Sequence, residues 1–171
     1  MRIGIDIRTL LDKYYSGIPE YSYRIINELL KNDKENEYVL YYNSFSDMSE
    51  RLPKFETDNY SVVKTNYPNK FFAYVMQKLF AYPKLDRLLD VDVFFMPHLN
   101  FVALDEEVKK VITIHDLSFL HYPEFFSFRK NFWHKSLAVK KFLKQFDKII
   151  AISENTKNDL IELCGISEDK I

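Results

Sequence analysis

His115-Asp116 closes a continuous apolar, β-branched run, Val111-Ile112-Thr113-Ile114. A run of that composition suits a strand buried on both faces of a parallel sheet, and open α/β sheets gather their ligands at the carboxyl ends of such strands. An imidazole titrates near neutrality and can donate or accept a hydrogen bond to a hydroxyl or a leaving group, with Asp116 as a second titratable group beside it. The plainer alternative is a histidine that ends the strand and is satisfied by backbone groups. His98 follows Pro97 at the end of another apolar run and precedes Asn100 and Phe101. These residues, with Phe119, have the mixture of a few polar groups among aromatics that lines ligand clefts. Equally, Phe101 could simply cover the core.

Gly17-Ile18 lies between the first predicted strand and the first predicted helix. A loop there can offer backbone N–H groups and a helix N-terminus to a phosphate. The full dinucleotide fingerprint is absent, because only one glycine is present, and an ordinary capped loop remains open. Asp90-Val91-Asp92 has the Asp-x-Asp spacing of some metal–diphosphate sites, but oxygen-rich sites need several ligands and no further ones lie nearby in sequence. We therefore expect no metal. Ser127–Phe146 carries Arg129, Lys130, Lys135, Lys140, Lys141 and Lys144 and no acidic residue. Such a basic amphipathic helix, with Phe132, Val139, Leu143 and Phe146 as its buried stripe, suits either a solvated outer face or the surface of an anionic membrane.

These residues need elements to hold them. Arg2–Ile7, Tyr38–Tyr42, Tyr60–Thr65, Val91–Met96, Val108–Ile114 and Lys148–Ile152 read as strands, and Arg8–Ile18 as a loop. Helices are expected from Pro19 to about Lys31, over Lys70–Ala81, after Pro83 up to Leu89, over Ser127–Phe146, and from an N-cap at Ser153 through Cys164. Phe45–Leu52 reads as irregular with one helical turn, and Pro53–Asn59 as loop. Gly165 is a natural left-handed stop. Strands alternate with helices, so the pattern predicts an α/β, Rossmann-like, doubly wound and mostly parallel sheet.

Composition narrows the classes. A chain of 171 residues is long enough for a sizeable core. Its net charge of −1 gives no global field for nucleic acid. Cys164 is the only cysteine, which excludes an internal disulfide and fits a reducing compartment. The N-terminal apolar run is too short for a signal peptide, and no segment reaches the roughly 18 apolar residues of a membrane span. The expectation is a cytoplasmic protein, with the Ser127–Phe146 helix as a peripheral contact to the inner face of the membrane.

Taken in order, the segments resemble the N-terminal half of a family 4 (group 1) glycosyltransferase. The resemblance runs through almost the whole chain. It rests on Met1–Asp6, Ser16–Tyr21, Val111–Leu120 with Pro123-Glu124, and Asp147–Glu154. Thr156, Asp159-Leu160 and Gly165–Ile171 extend it. The resemblance implies a GT-B fold of two Rossmann-like domains, and retaining transfer of a sugar from a nucleotide-activated donor without a required metal. It implies that residues 1–171 form the acceptor-side domain and that the donor-nucleotide domain is absent from the chain. It also implies that His115 reaches the donor sugar, that Gly17 approaches the diphosphate, and that Ser153-Glu154 forms a strand-to-helix corner near the cleft. Pro19 departs from the family loop, which has a second glycine there; proline offers no N–H to a phosphate.

The leading expectation is thus an acceptor-binding domain serving transfer from a nucleotide-sugar to a glycan or lipid-linked acceptor, inactive when isolated. The acceptor would enter by His98–Phe101 and Phe119–Phe126. A non-catalytic glycan- or partner-binding module, or one subunit of a split glycosyltransferase, is the alternative. No cofactor beyond the nucleotide-sugar substrate is expected.

Overall fold

The computed structural model of the protein describes residues 1–12, 16–68 and 71–171. It divides into two compact units, Met1–Lys109 and Lys110–Ile171. In the first unit, β1 (Arg2–Asp6), β2 (Glu37–Asn43), β3 (Tyr60–Thr65) and β4 (Val93–Met96) lie in the order β3-β2-β1-β4. Every pairing there is parallel, with Ile5 opposite Leu40 on one side and Phe95 on the other. Strand β5 (Lys109–Ile114), which from Lys110 on belongs to the second unit, runs parallel to β6 (Lys148–Ala151), Ile114 opposite Ala151. Parallel strands need crossovers, and the helices supply them. The fold is α/β, Rossmann-like and doubly wound, as the alternation of elements predicts.

The first unit holds α1 (Gly17–Asn32) and α2 (Leu85–Leu89). The second holds α3 (Ser118–His121), α4 (Phe128–Leu137), α5 (Val139–Leu143) and α6 (Glu154–Glu162). The core of the first unit is built on Ile5, Tyr41, Phe94 and Met96; that of the second on Ile112, Ile114, Leu143, Phe146 and Leu160. Gly4 is required by packing, because a Cβ there would lie 3.0 Å from the Phe94 ring and 3.1 Å from Val91. Gly165, at φ +63°, terminates the chain's last long helical segment in the left-handed conformation that glycine adopts readily. Among the described residues, no helix is long and apolar enough to cross a membrane.

Several boundaries differ from the sequence pattern. Helix α1 starts at Gly17 rather than Pro19. Proline fits because the N–H groups of the first turn have no intrahelical partner. Part of the predicted Arg8–Ile18 loop is a 3-10 turn, Arg8–Leu11. The helix expected over Lys70–Ala81 is a wider π-helix, Phe72–Leu79; its predicted start, Lys70, lies outside the described residues. It brings Gln77 inward, where the amide donates to the Pro83 carbonyl (3.0 Å) and accepts from the Ala103 N–H (2.7 Å). Between β5 and α4, where the sequence pattern assigns no element, lie α3 and a 3-10 turn, Pro123–Phe125.

The largest correction concerns Ser127–Phe146, which is two helices, not one. Ala138 breaks it with a left-handed backbone, φ 50°. Leu137 and Val139 are both buried, yet residues two apart lie on nearly opposite faces of a continuous helix. The break lets both turn inward. It also removes one member of the predicted stripe: Val139, Leu143 and Phe146 are buried as expected, whereas Phe132 is exposed.

Candidate functional site

The strand-end chemistry of the first unit begins at Asp6. Its side chain is fully buried, and Arg8, two residues on, is nearly so. Residues two apart at a strand end share one face, so the guanidinium folds back onto the carboxylate. Nε contacts both carboxylate oxygens (2.9 and 3.0 Å), and one terminal nitrogen closes the fork at 2.6 Å. The same nitrogen donates to the Phe101 carbonyl at 2.9 Å, tying the loop after β4 to the end of β1. Burial alone would raise the Asp6 pKa, but the charge and hydrogen bonds of Arg8, with a smaller contribution from His98, hold it below the ordinary carboxylate value. The neighbouring Tyr41 phenol, its oxygen 2.9 Å from Thr65 Oγ1, is pushed up to about 12 by burial.

His98, Asn100 and Phe101 are therefore brought together with Asp6 and Arg8. The Asn100 amide lies 3.4 Å from His98 Nε2, and its oxygen accepts the Phe101 N–H at 2.8 Å. Phe101 is buried, so it covers the core, while its carbonyl fixes Arg8. Gly17 and Ile18 form the exposed start of α1. A Cβ at Gly17 would meet no described atom within 4 Å, and its φ is not in the left-handed region, so neither packing nor conformation requires glycine there. The Ile18 carbonyl accepts the Ser22 hydroxyl at 2.9 Å.

Asp90 and Asp92 both engage Arg2. Asp90 pairs with the Arg2 side chain (2.6 Å), and Asp92 accepts the Arg2 backbone N–H (2.8 Å), so both anchor the start of β1. Among the described residues, no group of three or more His, Cys, Asp or Glu side chains is placed to hold a metal ion.

In the second unit, His115 follows β5 and is half-buried. Its backbone carbonyl accepts the Thr156 hydroxyl at 3.3 Å. The Thr156 oxygen in turn lies 3.0 Å from the Ser153 hydroxyl, and Ser153 caps α6 by accepting the Thr156 N–H at 3.2 Å. The predicted corner at Ser153 is thus bonded to the predicted histidine through one buried threonine. Glu154 is exposed in the first turn of α6, where its charge suits the helix dipole. The Asp116 carboxylate accepts from both the N–H (3.1 Å) and the hydroxyl (2.6 Å) of Ser118, folding the turn that leads into α3.

Phe119 is buried with its ring stacked on His134, centroids 3.8 Å apart and planes 7° apart. One face is therefore closed to any ligand. Phe126 and Trp133 approach the same imidazole edge-on, and this apolar box depresses the His134 pKa by desolvation. Beside the stack opens a cavity of about 540 Å³, lined by Phe119, Pro123, His134, Val139 and the stems of Lys135 and Lys140. His121 pairs with Asp159 at 2.8 Å and joins α3 to α6.

Comparison with known families decides the affiliation. The Glycosyltransferase Family 4 profile matches residues 15–171, nearly the whole chain. The chain belongs to glycosyltransferase family 4. No curated protein gives a significant match to it. Gly17, His115 and Ser153 all lie within the matched residues.

The roles of two groups escaped sequence reasoning. Arg8 stood in a segment read as loop, though its opposite charge two residues after Asp6 at a strand end was a usable signal. Thr156 is among the residues that extend the family resemblance, but its bond to a carbonyl forty-one residues away is tertiary.

Proposed function

We propose that this family 4 domain serves as the acceptor-side half of a retaining, hexosyl-type glycosyltransferase acting in the cytoplasm, with a nucleotide-sugar donor and a glycan or lipid-linked acceptor. The observation that carries the reading is the Ser153–Thr156–His115 chain of hydrogen bonds. It holds the backbone at the end of a buried strand and presents a half-buried imidazole there. A side chain so mounted loses little freedom on meeting a ligand, which is what a catalytic position needs.

In this reading His115 hydrogen-bonds the sugar being transferred and holds it for attack by the acceptor hydroxyl. Gly17 supports a second role. A glycine that neither packing nor backbone demands leaves room for a ligand to approach the first N–H groups of α1, where the helix dipole favours a departing diphosphate. That interaction strengthens as negative charge develops on the leaving group. Asp116 shapes the turn after His115, and the cavity beside Phe119 offers an apolar wall for part of an acceptor. No metal is assigned, since Asp90 and Asp92 are held by Arg2. The donor nucleotide is held by a second domain, and residues 1–171 alone do not turn over.

The test is His115→Ala in the two-domain enzyme. Loss of about 10²–10⁴-fold in kcat is expected, the range for a positioned acid–base or hydrogen-bonding group. Near-normal turnover, or robust transfer by residues 1–171 alone, would remove the assignment.

A further inference from the structure

The segment from Tyr122 through α5 carries an exposed aromatic cluster that the glycosyltransferase reading does not use. Phe125 is 79%, Phe128 86% and Phe132 57% exposed. Isolated exposed hydrophobics are ordinary on a protein surface, but three phenyl rings within eight residues are not scattered. Phe128 and Phe132 are one helical turn apart and share a face of α4. Phe125 sits on the preceding turn, stacked against Tyr122 at 5.6 Å.

That turn is fastened rather than loose. The Asn131 amide donates to the carbonyls of both Pro123 (2.6 Å) and Phe126 (3.2 Å), binding the turn to α4. On the same helix as Phe128 and Phe132, Arg129, Lys130 and Lys135 are all exposed, and no acidic residue occurs from Phe128 to Phe146. Acidic residues flank the stretch at Glu124 and Asp147, and Asp147 is engaged with the Lys110 N–H at 2.9 Å.

We propose that Phe125, Phe128 and Phe132, with these cations, form a docking surface for an anionic lipid bilayer. Phenyl rings enter the acyl boundary while flanking cations stay at the headgroup level. Charge decides the occupant: cations on the ring-bearing helix with no interspersed acid match a laterally uniform negative surface. The sequence expectation was a single amphipathic helix lying flat. The break at Ala138 and the weak segregation of polar and apolar residues on α4 replace it with an aromatic wedge held in a basic field. Vesicle binding requires no turnover, so this proposal stands or falls apart from glycosyl transfer.

The full chain is sedimented with phosphatidylcholine vesicles and with vesicles that also contain phosphatidylglycerol, at low and high salt. We expect binding only to the anionic vesicles, weakened by salt, with a blue shift of the emission of Trp133, the sole tryptophan. Replacing both Phe128 and Phe132 by serine should weaken partitioning at least about ten-fold. Arg129→Ala and Lys130→Ala should each weaken it about five-fold. All four side chains are exposed, so thermal melts of these variants should match the wild type and exclude misfolding as the cause. Absence of binding to anionic vesicles, binding insensitive to salt, or binding unchanged in the phenylalanine variant would each overturn the proposal. Dimerisation lost in that variant, without vesicle binding, would assign the patch to a second copy instead.

Discussion

Strands β1 and β5 end in the same way on paper: an apolar, β-branched run, then a charged or titratable residue. Their fates differ. At the end of β1, Asp6 is fully buried and its forked pair with Arg8 is sealed under Phe101. At the end of β5, the half-buried His115 is fixed through its backbone carbonyl, and Asp116 is exposed and committed to a turn. The first arrangement uses its charges to hold the protein together; the second uses its backbone to hold a side chain. A titratable residue at a strand end is therefore a candidate for chemistry only when something other than its own charge anchors it.

The largest expected effect tests the sealed end. Asp6→Asn should destabilise the chain by about 3–5 kcal/mol, because it leaves the Arg8 charge buried without its partner. Urea unfolding measures this, and a loss under about 1 kcal/mol would break the contrast. The same pair sets an acid limit. Asp6 has a folded pKa below its unfolded value, so its contribution is fully present above about pH 4 and fades as pH falls through the folded value. The Asn variant should lack that part of the acid dependence. His115→Ala, by contrast, should leave the unfolding midpoint nearly unchanged while removing activity.

A smaller effect is expected at the open end. Thr156→Val keeps the shape but removes the hydroxyl that joins Ser153 to the His115 carbonyl. Stability should fall by about 1–2 kcal/mol, the cost of leaving buried polar groups unpaired. In the two-domain enzyme, kcat should fall with KM little altered, since His115 would be held less firmly. A variant that melts earlier but keeps full kcat would show that the network serves only the fold.

The smallest effect belongs to the aromatic box. Desolvation lowers the His134 pKa below its ordinary value near 6.5. The unfolded chain therefore takes up a proton first as pH falls. Stability should be fully present above about pH 6.5 and decline as pH drops from there toward the folded value. Thermal melts from pH 7.5 to 5.5 should show a modest fall in Tm that His134→Phe abolishes. An equal fall in that variant would place the titration elsewhere.

Much of the fold was readable because its signals are local. Period-two and period-3.6 patterns mark most strands and helices, and Ser153 and Gly165 behave as the N-cap and stop their residue types suggest. The split at Ala138 was not readable. Nothing about an alanine forbids helix, and the left-handed turn there is held by burying both Leu137 and Val139. Phe132 fell on the wrong side for the same reason. Phe119, expected to face an acceptor, instead stacks on His134, a partner fifteen residues away that no spacing rule identifies.

The order of residues alone determined the α/β class, the family and the position of His115 at a strand end, because each follows from periodicity and short motifs carried along the chain. Tertiary structure decided which strand-end charges are sealed and which are presented. It joined Ser153 and Thr156 to His115, turned Arg8 onto Asp6, and left Phe125, Phe128 and Phe132 at the surface. Those outcomes depend on burial and on partners distant in sequence, and both exist only once the chain has folded.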